Sequence, residues 1–271
     1  MQTVQFKNGD SMPALGYGTW KLSEGEEAYT AVQEALSAGY RLIDTAAVYG
    51  NEISVGKAIA GYEIDRRDIF LTTKLWSDDL GYESALDACR RSLERLGMEY
   101  VDLYLIHWPS GPEWADAWRA LVQLQQDGLA KHIGVSNFTG KHLEELKRIS
   151  DVVPEVNQIE LHPYIYDQQI EILQYCRDNS IVVEAYSPLV QGDALNDLMI
   201  AQIADKYQKT SAQILLRWAI QHHTIPLPKS SHPDRIEENF DIFDFEIVDD
   251  DMLVLDGVSN GNRVTHDPQD M

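Results

Sequence analysis

Four residues with complementary chemistry end or follow apolar runs in this sequence. Asp44 ends the run LID and precedes Tyr49 by five positions. Lys74 ends IFLTTK, and His107 ends VDLYLIH. A lysine drawn inward by apolar neighbours loses its charge unless a carboxylate lies beside it, because burial disfavours the charged form. We therefore expect Asp44 to keep Lys74 cationic.

The cationic Lys74 would in turn make Tyr49 a better acid, with His107 orienting a carbonyl oxygen near the phenol. A free tyrosine, with a pKa near 10, is ionised at about one part in a thousand at pH 7. A pKa lowered by about two units, roughly 2.7 kcal/mol, would raise that fraction to about one in ten. The phenol would stay mostly protonated for donation, and the phenolate would be accessible for the reverse reaction. No nucleophile and no metal-binding triad occurs in this set, so we expect no metal.

The elements that must position these residues alternate between strand and helix. Eight β-like apolar runs recur along the chain, at 14–20, 41–46, 69–75, 101–108, 132–138, 156–162, 181–187 and 224–230. Helical patterns lie between them, for example at 26–39, 83–97, 117–128, 141–149 and 211–220. Eightfold alternation over about 250 residues predicts an α/β fold of the (β/α)8 TIM barrel type. A doubly wound open sheet would want GxGxxG after the first strand, and GYGTWK (16–21) breaks that pattern at the third glycine.

The first segment, TVQFKNGDSMPAL, has two short alternating runs around Asn8 and Gly9. Asn-Gly between such runs is a strong signal for a hairpin with a two-residue turn. We expect an N-terminal β-hairpin that caps the barrel. No shift in composition suggests a linker, so we expect a single domain over 1–271.

Composition excludes several classes of partner and process. With 44 acidic against 22 basic side chains, the formal net charge is -22, so nucleic acid and anionic membranes are not expected partners. The acidic residues are dispersed, which fits either ordinary solubility or adaptation to high salt. We favour salt, because the charge far exceeds the usual magnitude of about 2–8. Two isolated cysteines argue against thiol chemistry, and the absence of a signal-like start or a long apolar run predicts a cytoplasmic protein.

In a barrel, chemistry takes place at the carboxyl ends of the strands, where Asp44, Lys74 and His107 would share one rim. Taken one at a time, such residues are more often a structural ion pair and a packed histidine. Their occurrence on three successive strands favours a catalytic role.

These residues lie in stretches that resemble the aldo-keto reductase family over nearly the whole chain. The matching stretches are GYGTW (16–20), LIDTAAVYGNE (42–52), TTKLW (72–76), DLYLIHWP (102–109), IGVSNF (133–138), VNQIELHPY (156–164), AYSPL (185–189) and IPLPKS (225–230). The short loops and RVTHDP (263–268) look most like the prokaryotic 2,5-diketo-gluconate reductase branch. The resemblance implies hydride transfer from a nicotinamide to an aldehyde or ketone, with Tyr49 as the general acid and base.

The resemblance also implies a cofactor site. Ser136, Asn137 and Gln158 would hold the nicotinamide carboxamide, and the ring of Tyr186 would stack on the nicotinamide. Ser187 and Leu189 follow Tyr186 in the same site. From the residues alone, Asn137 and Gln158 could equally satisfy loop backbone groups.

After the last strand, the resemblance places Lys229, Ser230 and Arg235 around the adenosine 2′-phosphate, with Asn239 one turn beyond Arg235. A guanidinium suits a phosphate better than a hydroxyl, so NADPH is favoured and NADH is the weaker alternative. The competing interpretation of Arg235 is a pair with Glu238 on the same helix.

Tryptophans separate a pocket from the core. Trp20, Trp76 and Trp108 end strands around the four candidate catalytic residues and, with His107, could wall a substrate site. Trp114, Trp118 and Trp218 lie in helical patterns and are expected to pack.

The sequence thus favours an NADPH-dependent reductase of a small-molecule carbonyl, acting as a monomer. The alternative is a nucleotide-binding regulatory subunit on the same barrel that senses redox state with little catalysis. Which carbonyl compound is reduced stays open.

Overall fold

The computed structural model of the protein describes residues 2–270, and most of these residues lie in short strands and helices. The strands are β1 Thr3–Gln5, β2 Ser11–Pro13, β3 Gly16–Gly18, β4 Leu42–Asp44, β5 Phe70–Leu75, β6 Val101–Ile106, β7 Ala130–Ser136, β8 Val156–Glu160, β9 Val182–Tyr186 and β10 Ile225–Leu227. The helices are α1 Glu26–Ala38, α2 Glu52–Ala60, α3 Tyr82–Leu96, α4 Trp114–Gln126, α5 Gly140–Ile149, α6 Tyr166–Asp178, α7 Leu198–Tyr207, α8 Ser211–Gln221, α9 Pro233–Phe240 and α10 Asp249–Asp256.

Strands β3 to β10 pair in chain order, each parallel to the next. The first and last strands meet where the Gly18 amide donates to the Pro228 carbonyl oxygen at 3.0 Å. Helices lie between the strands along the chain and form the crossover connections that parallel strands need. The (β/α)8 TIM barrel predicted from the sequence is confirmed.

Strands β1 and β2 form the predicted antiparallel hairpin, with Val4 opposite Met12. The expected two-residue turn is wrong, because the Phe6 amide donates to Asp10 O (2.8 Å) and Phe6 O accepts from the Gly9 amide (3.0 Å). These bonds enclose a three-residue loop, Lys7 to Gly9. Gly9 has a φ of 94°, the left-handed conformation that closes such loops, so the glycine serves a different turn from the one expected.

Side-chain parity divides the barrel interior into an apolar base and a polar mouth. Phe6 and Met12 of the hairpin pack with the inward residues of the base, which are Leu42, Phe70, Leu103, Leu105, Val156, Val182, Ile225 and Leu227. The predicted cap is therefore confirmed. Because side chains alternate along a strand, the inward position two residues nearer the mouth is polar on several of these strands. Those polar positions are Asp44, Thr72, His107, Gln158 and Glu184, with Lys74 one further step up β5.

The last strand is shorter than the run 224–230 suggested. Strand β10 ends at Leu227, so Lys229 and Ser230 lie in the following loop. Pro228 has no N–H with which to continue the ladder. No helix within residues 2–270 combines the length and apolar character that crossing a membrane requires.

Candidate active site

The ammonium of Lys74 lies between the carboxylate of Asp44 and the phenol of Tyr49. Lys74 Nζ is 2.6 Å from Asp44 Oδ1 and 3.4 Å from Tyr49 OH, and it also donates to Thr45 O at 3.0 Å. Lys74 is fully buried, and Asp44 is 3% exposed. The structure thus brings together the carboxylate of β4, the cation of β5 and the acid of the 3-10 turn Ala47–Tyr49 after β4, which are the three groups that the sequence singled out.

The electrostatics of this group differ from the expectation in one respect. Burial alone would lower the pKa of Lys74, but Asp44 and the Tyr49 phenol together raise it above its ordinary value, so the ammonium stays charged. The predicted lowering of the Tyr49 pKa is wrong for this structure. Burial raises the pKa of Tyr49 by more than Lys74 lowers it, and Asp44 and Glu184 raise it further. Tyr49 is therefore held in its protonated form.

His107 lies beside the phenol, with the Tyr49 and His107 ring centroids 5.7 Å apart and the planes at 76°. Trp76 contacts the imidazole edge to face, with ring centroids 5.2 Å apart. Burial, reinforced by the charge of Lys74, holds the pKa of His107 well below its ordinary value, so the ring is neutral at pH 7. Nδ1 is enclosed without a partner, whereas Nε2 is not enclosed. A neutral imidazole with one accessible nitrogen can hydrogen-bond a carbonyl oxygen.

Three amide and hydroxyl side chains lie on or just after the next strands, and each already forms hydrogen bonds with protein groups. Ser136 Oγ donates to Gln158 O at 2.8 Å, and Asn137 Nδ2 donates to His107 O at 3.0 Å. Asn137 Oδ1 accepts from Tyr186 OH at 2.8 Å. Gln158 differs, because its Oε1 has no partner within residues 2–270 and is not enclosed. Gln158 therefore presents a free acceptor.

The phenol of Tyr186 ties the barrel mouth to the carboxyl-terminal segment. Tyr186 OH is 2.9 Å from Thr265 Oγ1. The carboxylate of Glu160, 1% exposed, accepts from the amides of Val264 (2.7 Å) and Thr265 (3.2 Å), and also from the Thr265 hydroxyl. The segment is thus fastened across the rim beside a half-buried aromatic ring.

The loop after β9 reaches back over the mouth. Ser187 and Leu189 begin it and are half-buried. Gln191 Oε1 accepts from Lys21 Nζ at 2.7 Å, which joins this loop to the loop after β3.

The loop after β10 and helix α9 offer a donor set suited to a nucleotide. Lys229 and Arg235 form no ion pair with any other residue in 2–270, and Glu238 accepts from Thr210 Oγ1 at 2.8 Å rather than from Arg235. Asn239 is 3% exposed, and its Oδ1 is enclosed and has no partner among residues 2–270. Ser230 Oγ accepts from the His232 amide at 3.1 Å. Two cations without an ion pair and an amide oxygen without a donor, on the same loop and helix, fit a ligand with anionic and amino groups.

Comparison with known proteins agrees with this geometry. The family model described as "Aldo/keto reductase family" matches residues 14–260. The chain belongs to the aldo-keto reductase family. The glyoxal reductase of Bacillus subtilis is 46% identical to this aldo-keto reductase over 269 residues, which cover 99% of this chain and 97% of that one.

Two crystal structures show the same fold. An aldo/keto reductase from Brucella melitensis is 50% identical, with a TM-score of 0.91 over 95% of this chain and 99% of the other. A point mutant of Gox0644, solved in complex with NADPH, is 40% identical, with a TM-score of 0.93 over 99% of this chain and 97% of the other. The family resemblance and the fold it implies are confirmed.

The tryptophans of this aldo-keto reductase fall into the two predicted groups of burial. Trp20 is 39% exposed and carries Lys21 Nζ at 4.4 Å from its ring centroid, while Trp76 and Trp108 are half-buried. The tryptophans expected to pack are buried, namely Trp114, Trp118 and Trp218.

Sequence reasoning missed several residues that the aldo-keto reductase fold brings to the site. Glu184 was not predicted as a site residue. An acidic residue at an inward-facing position of the apolar run IVVEAY could have indicated it. The hydrogen bonds between Glu160 and Thr265 and between Lys21 and Gln191 join residues 105 and 170 positions apart, and no local sequence pattern predicts them. No group of three or more potential metal ligands occurs among residues 2–270.

Proposed function

We propose that the protein is an NADPH-dependent carbonyl reductase that converts aldehydes and ketones to alcohols, with Tyr49 as the general acid. The observation that carries the proposal is the position of Lys74 Nζ, 2.6 Å from Asp44 Oδ1 and 3.4 Å from Tyr49 OH. A carboxylate, a buried ammonium and a phenol in series form a proton donor with a built-in means of stabilising its conjugate base.

Each residue then has one task during reduction. Nε2 of the neutral His107 and the phenol of Tyr49 orient the carbonyl oxygen of the substrate. NADPH, when bound, supplies a hydride to the carbonyl carbon. Tyr49 gives its proton to the oxygen, and Lys74, held cationic by Asp44, stabilises the phenolate. A raised Tyr49 pKa suits this direction, because the phenol remains protonated and ready to donate throughout the neutral range.

The donor set supports NADPH over NADH. Arg235 and Lys229 are unpaired cations that suit a 2′-phosphate, and Asn239 Oδ1 could accept from the adenine amino group. Gln158 Oε1 could accept from the nicotinamide carboxamide, with Ser136 and Asn137 beside it. Tyr186 would stack on the ring, and Ser187 and Leu189 would border it. The NADPH complex of the related Gox0644 variant supports the same assignment.

Small carbonyl compounds are the substrate class that the site supports best. Trp20, Trp76 and Trp108 could wall a pocket above Tyr49. The related glyoxal reductase supports including α-dicarbonyls among the candidates. We further propose that the chain works as a single-domain monomer.

Replacement of Tyr49 tests the proposal. Tyr49→Phe should lower kcat for a panel of aldehydes and α-dicarbonyls by at least about a hundredfold, within the range that general acids contribute. NADPH affinity, measured by fluorescence titration, should be nearly unchanged. Tyr29→Phe, at an exposed tyrosine on α1, is the matched control and should leave both quantities unaltered.

Two results would count against the proposal. Undiminished turnover in Tyr49→Phe would exclude Tyr49 as the acid. A wild-type protein that binds NADPH yet reduces no carbonyl in the panel would favour the regulatory alternative.

A further inference from the structure

A second buried carboxyl group lies beneath the catalytic set. Glu184 occupies the inward position of β9 level with Gln158 on β8, and its side chain is fully buried. It touches neither Lys74 nor Tyr49 through a hydrogen bond. The proposed mechanism gives Glu184 no role. Burying an ionisable group in a barrel costs free energy unless other groups hydrogen-bond it, so the partners of Glu184 are informative.

Glu184 and Asp44 share the amide of Gln158. Gln158 Nε2 donates to Asp44 Oδ2 at 2.9 Å and to Glu184 Oε2 at 2.8 Å. An amide nitrogen has two hydrogens, so both are used. With Nε2 fixed inward by two acceptors, Oε1 is directed away from them, and this is the atom that has no partner in the described chain. Turning the amide over would set Oε1 against the negatively charged Oδ2 of Asp44 and would take the donor away from Glu184 Oε2.

The surroundings of Glu184 favour the protonated, uncharged form of its carboxyl group at neutral pH. Burial, followed by the nearby charge of Asp44, raises its pKa to about 8, and these effects outweigh the opposing effects of Gln158 and Lys74. Its Oε1 is enclosed with no partner, which a neutral acid tolerates far better than a carboxylate. A neutral acceptor at this position is therefore enough to hold Gln158, and glutamine could replace Glu184.

We propose that Glu184 is a positioning residue that, together with Asp44, fixes the Gln158 amide so that its oxygen faces the cofactor. The inference rests on the proposed function, in which Gln158 Oε1 accepts from the nicotinamide carboxamide. A free amide could present either end to the carboxamide. The two inward acceptors select the oxygen, and the oxygen selects the amino group of the carboxamide as its partner.

The test compares two ligands and two substitutions at Glu184. Dissociation constants are measured by fluorescence titration at pH 7 for NADPH and for 2′-phospho-ADP-ribose, which lacks the nicotinamide. Glu184→Met keeps the length but removes the acceptor, and should weaken NADPH binding by about 3- to 10-fold, as expected for one hydrogen bond. Binding of 2′-phospho-ADP-ribose should not change. Glu184→Gln keeps an acceptor for Gln158 Nε2, so this variant should bind NADPH with an affinity within about twofold of the wild type.

A double-mutant cycle asks whether the effect passes through Gln158. Gln158→Met should weaken NADPH binding at least as much as Glu184→Met, and combining the two should weaken it no further. Thermal melting of each variant shows that it is folded.

Three results would overturn the inference while leaving the proposed function intact. These are equal weakening by Glu184→Gln and Glu184→Met, additive effects in the cycle, and equal weakening of both ligands. Failure of the wild type to bind NADPH more tightly than 2′-phospho-ADP-ribose would remove the carboxamide contact and overturn the inference. Failure of the wild type to bind either ligand would instead refute the proposed function itself, and the inference with it.

Discussion

Glu184 should contribute a loss of stability as pH rises through the neutral range. Its pKa is raised from 4.5 to about 8 in the folded protein. Between those values the unfolded chain releases the proton and the folded chain keeps it. The folded state then binds more protons than the unfolded state, so the free energy of unfolding falls with increasing pH.

The size of the effect follows from the shift. Each pKa unit corresponds to about 1.4 kcal/mol, so the full shift is worth roughly 3 to 5 kcal/mol by pH 8. Glu184→Gln removes the ionisable group while keeping the acceptor for Gln158. The variant should therefore gain stability relative to the wild type as pH rises from 5.5 to 8, and the difference should level off above pH 8.

The assay is urea unfolding followed by tryptophan fluorescence at pH 5.5, 6.5, 7.5 and 8.5. Glu246→Gln, at an exposed glutamate, is the matched control and should follow the wild type at every pH. A difference between Glu184→Gln and wild type that stays constant across this range would refute the reasoning, since it would mean that Glu184 ionises alike in both states.

Three further predictions test other parts of the structure. Arg235→Gln should raise KM for NADPH by about 10-fold or more while leaving KM for NADH unchanged. The control Arg148→Gln, at an exposed arginine of α5, should change neither KM. Equal effects of Arg235→Gln on both cofactors would contradict a contact with the 2′-phosphate. Gly56→Ala would place a Cβ 1.9 Å from Leu96 O and should lower the free energy of unfolding, measured by thermal unfolding, by about 1 to 3 kcal/mol. The control Gly140→Ala, whose Cβ would lie 3.9 Å from its nearest neighbour, should not change it. An unchanged melting temperature for Gly56→Ala would show that α2 and α3 separate easily. With a net charge of -22, we propose that the acidic surface is adapted to high salt, so the melting temperature should rise between 0.05 and 2 M KCl; equal values would favour ordinary solubility.

The architecture was predictable because local sequence patterns indicate its strands and helices. Runs such as IFLTTKL and VDLYLIHW have strand length and lie between amphipathic helical stretches, and eight repeats leave few topologies open. Placing Lys74 beside Asp44 followed from the rule that the carboxyl ends of parallel strands share one rim, and the 2.6 Å contact agrees with it.

The failures were quantitative or long-range. The direction of the Tyr49 pKa shift depends on a balance between burial and charge, and the sequence shows the charges but not how deeply the phenol is buried. The turn at Asn8 and Gly9 was misread because the same glycine conformation closes both two- and three-residue loops. Thr265 contacts Tyr186 on a segment that Glu160 also binds, and both contacts join residues that are far apart in the sequence.

The attachment of Thr265 to Glu160 and Tyr186 makes the two ends of the chain unequal for the experimenter. The amino-terminal hairpin closes the base of the barrel, whereas residues near the carboxyl terminus bind the rim at which we propose that the cofactor lies. An affinity tag or fluorescent fusion therefore belongs at the amino terminus. A fusion at the other end would instead be attached close to the segment that binds Tyr186, the residue that we propose to stack on the nicotinamide.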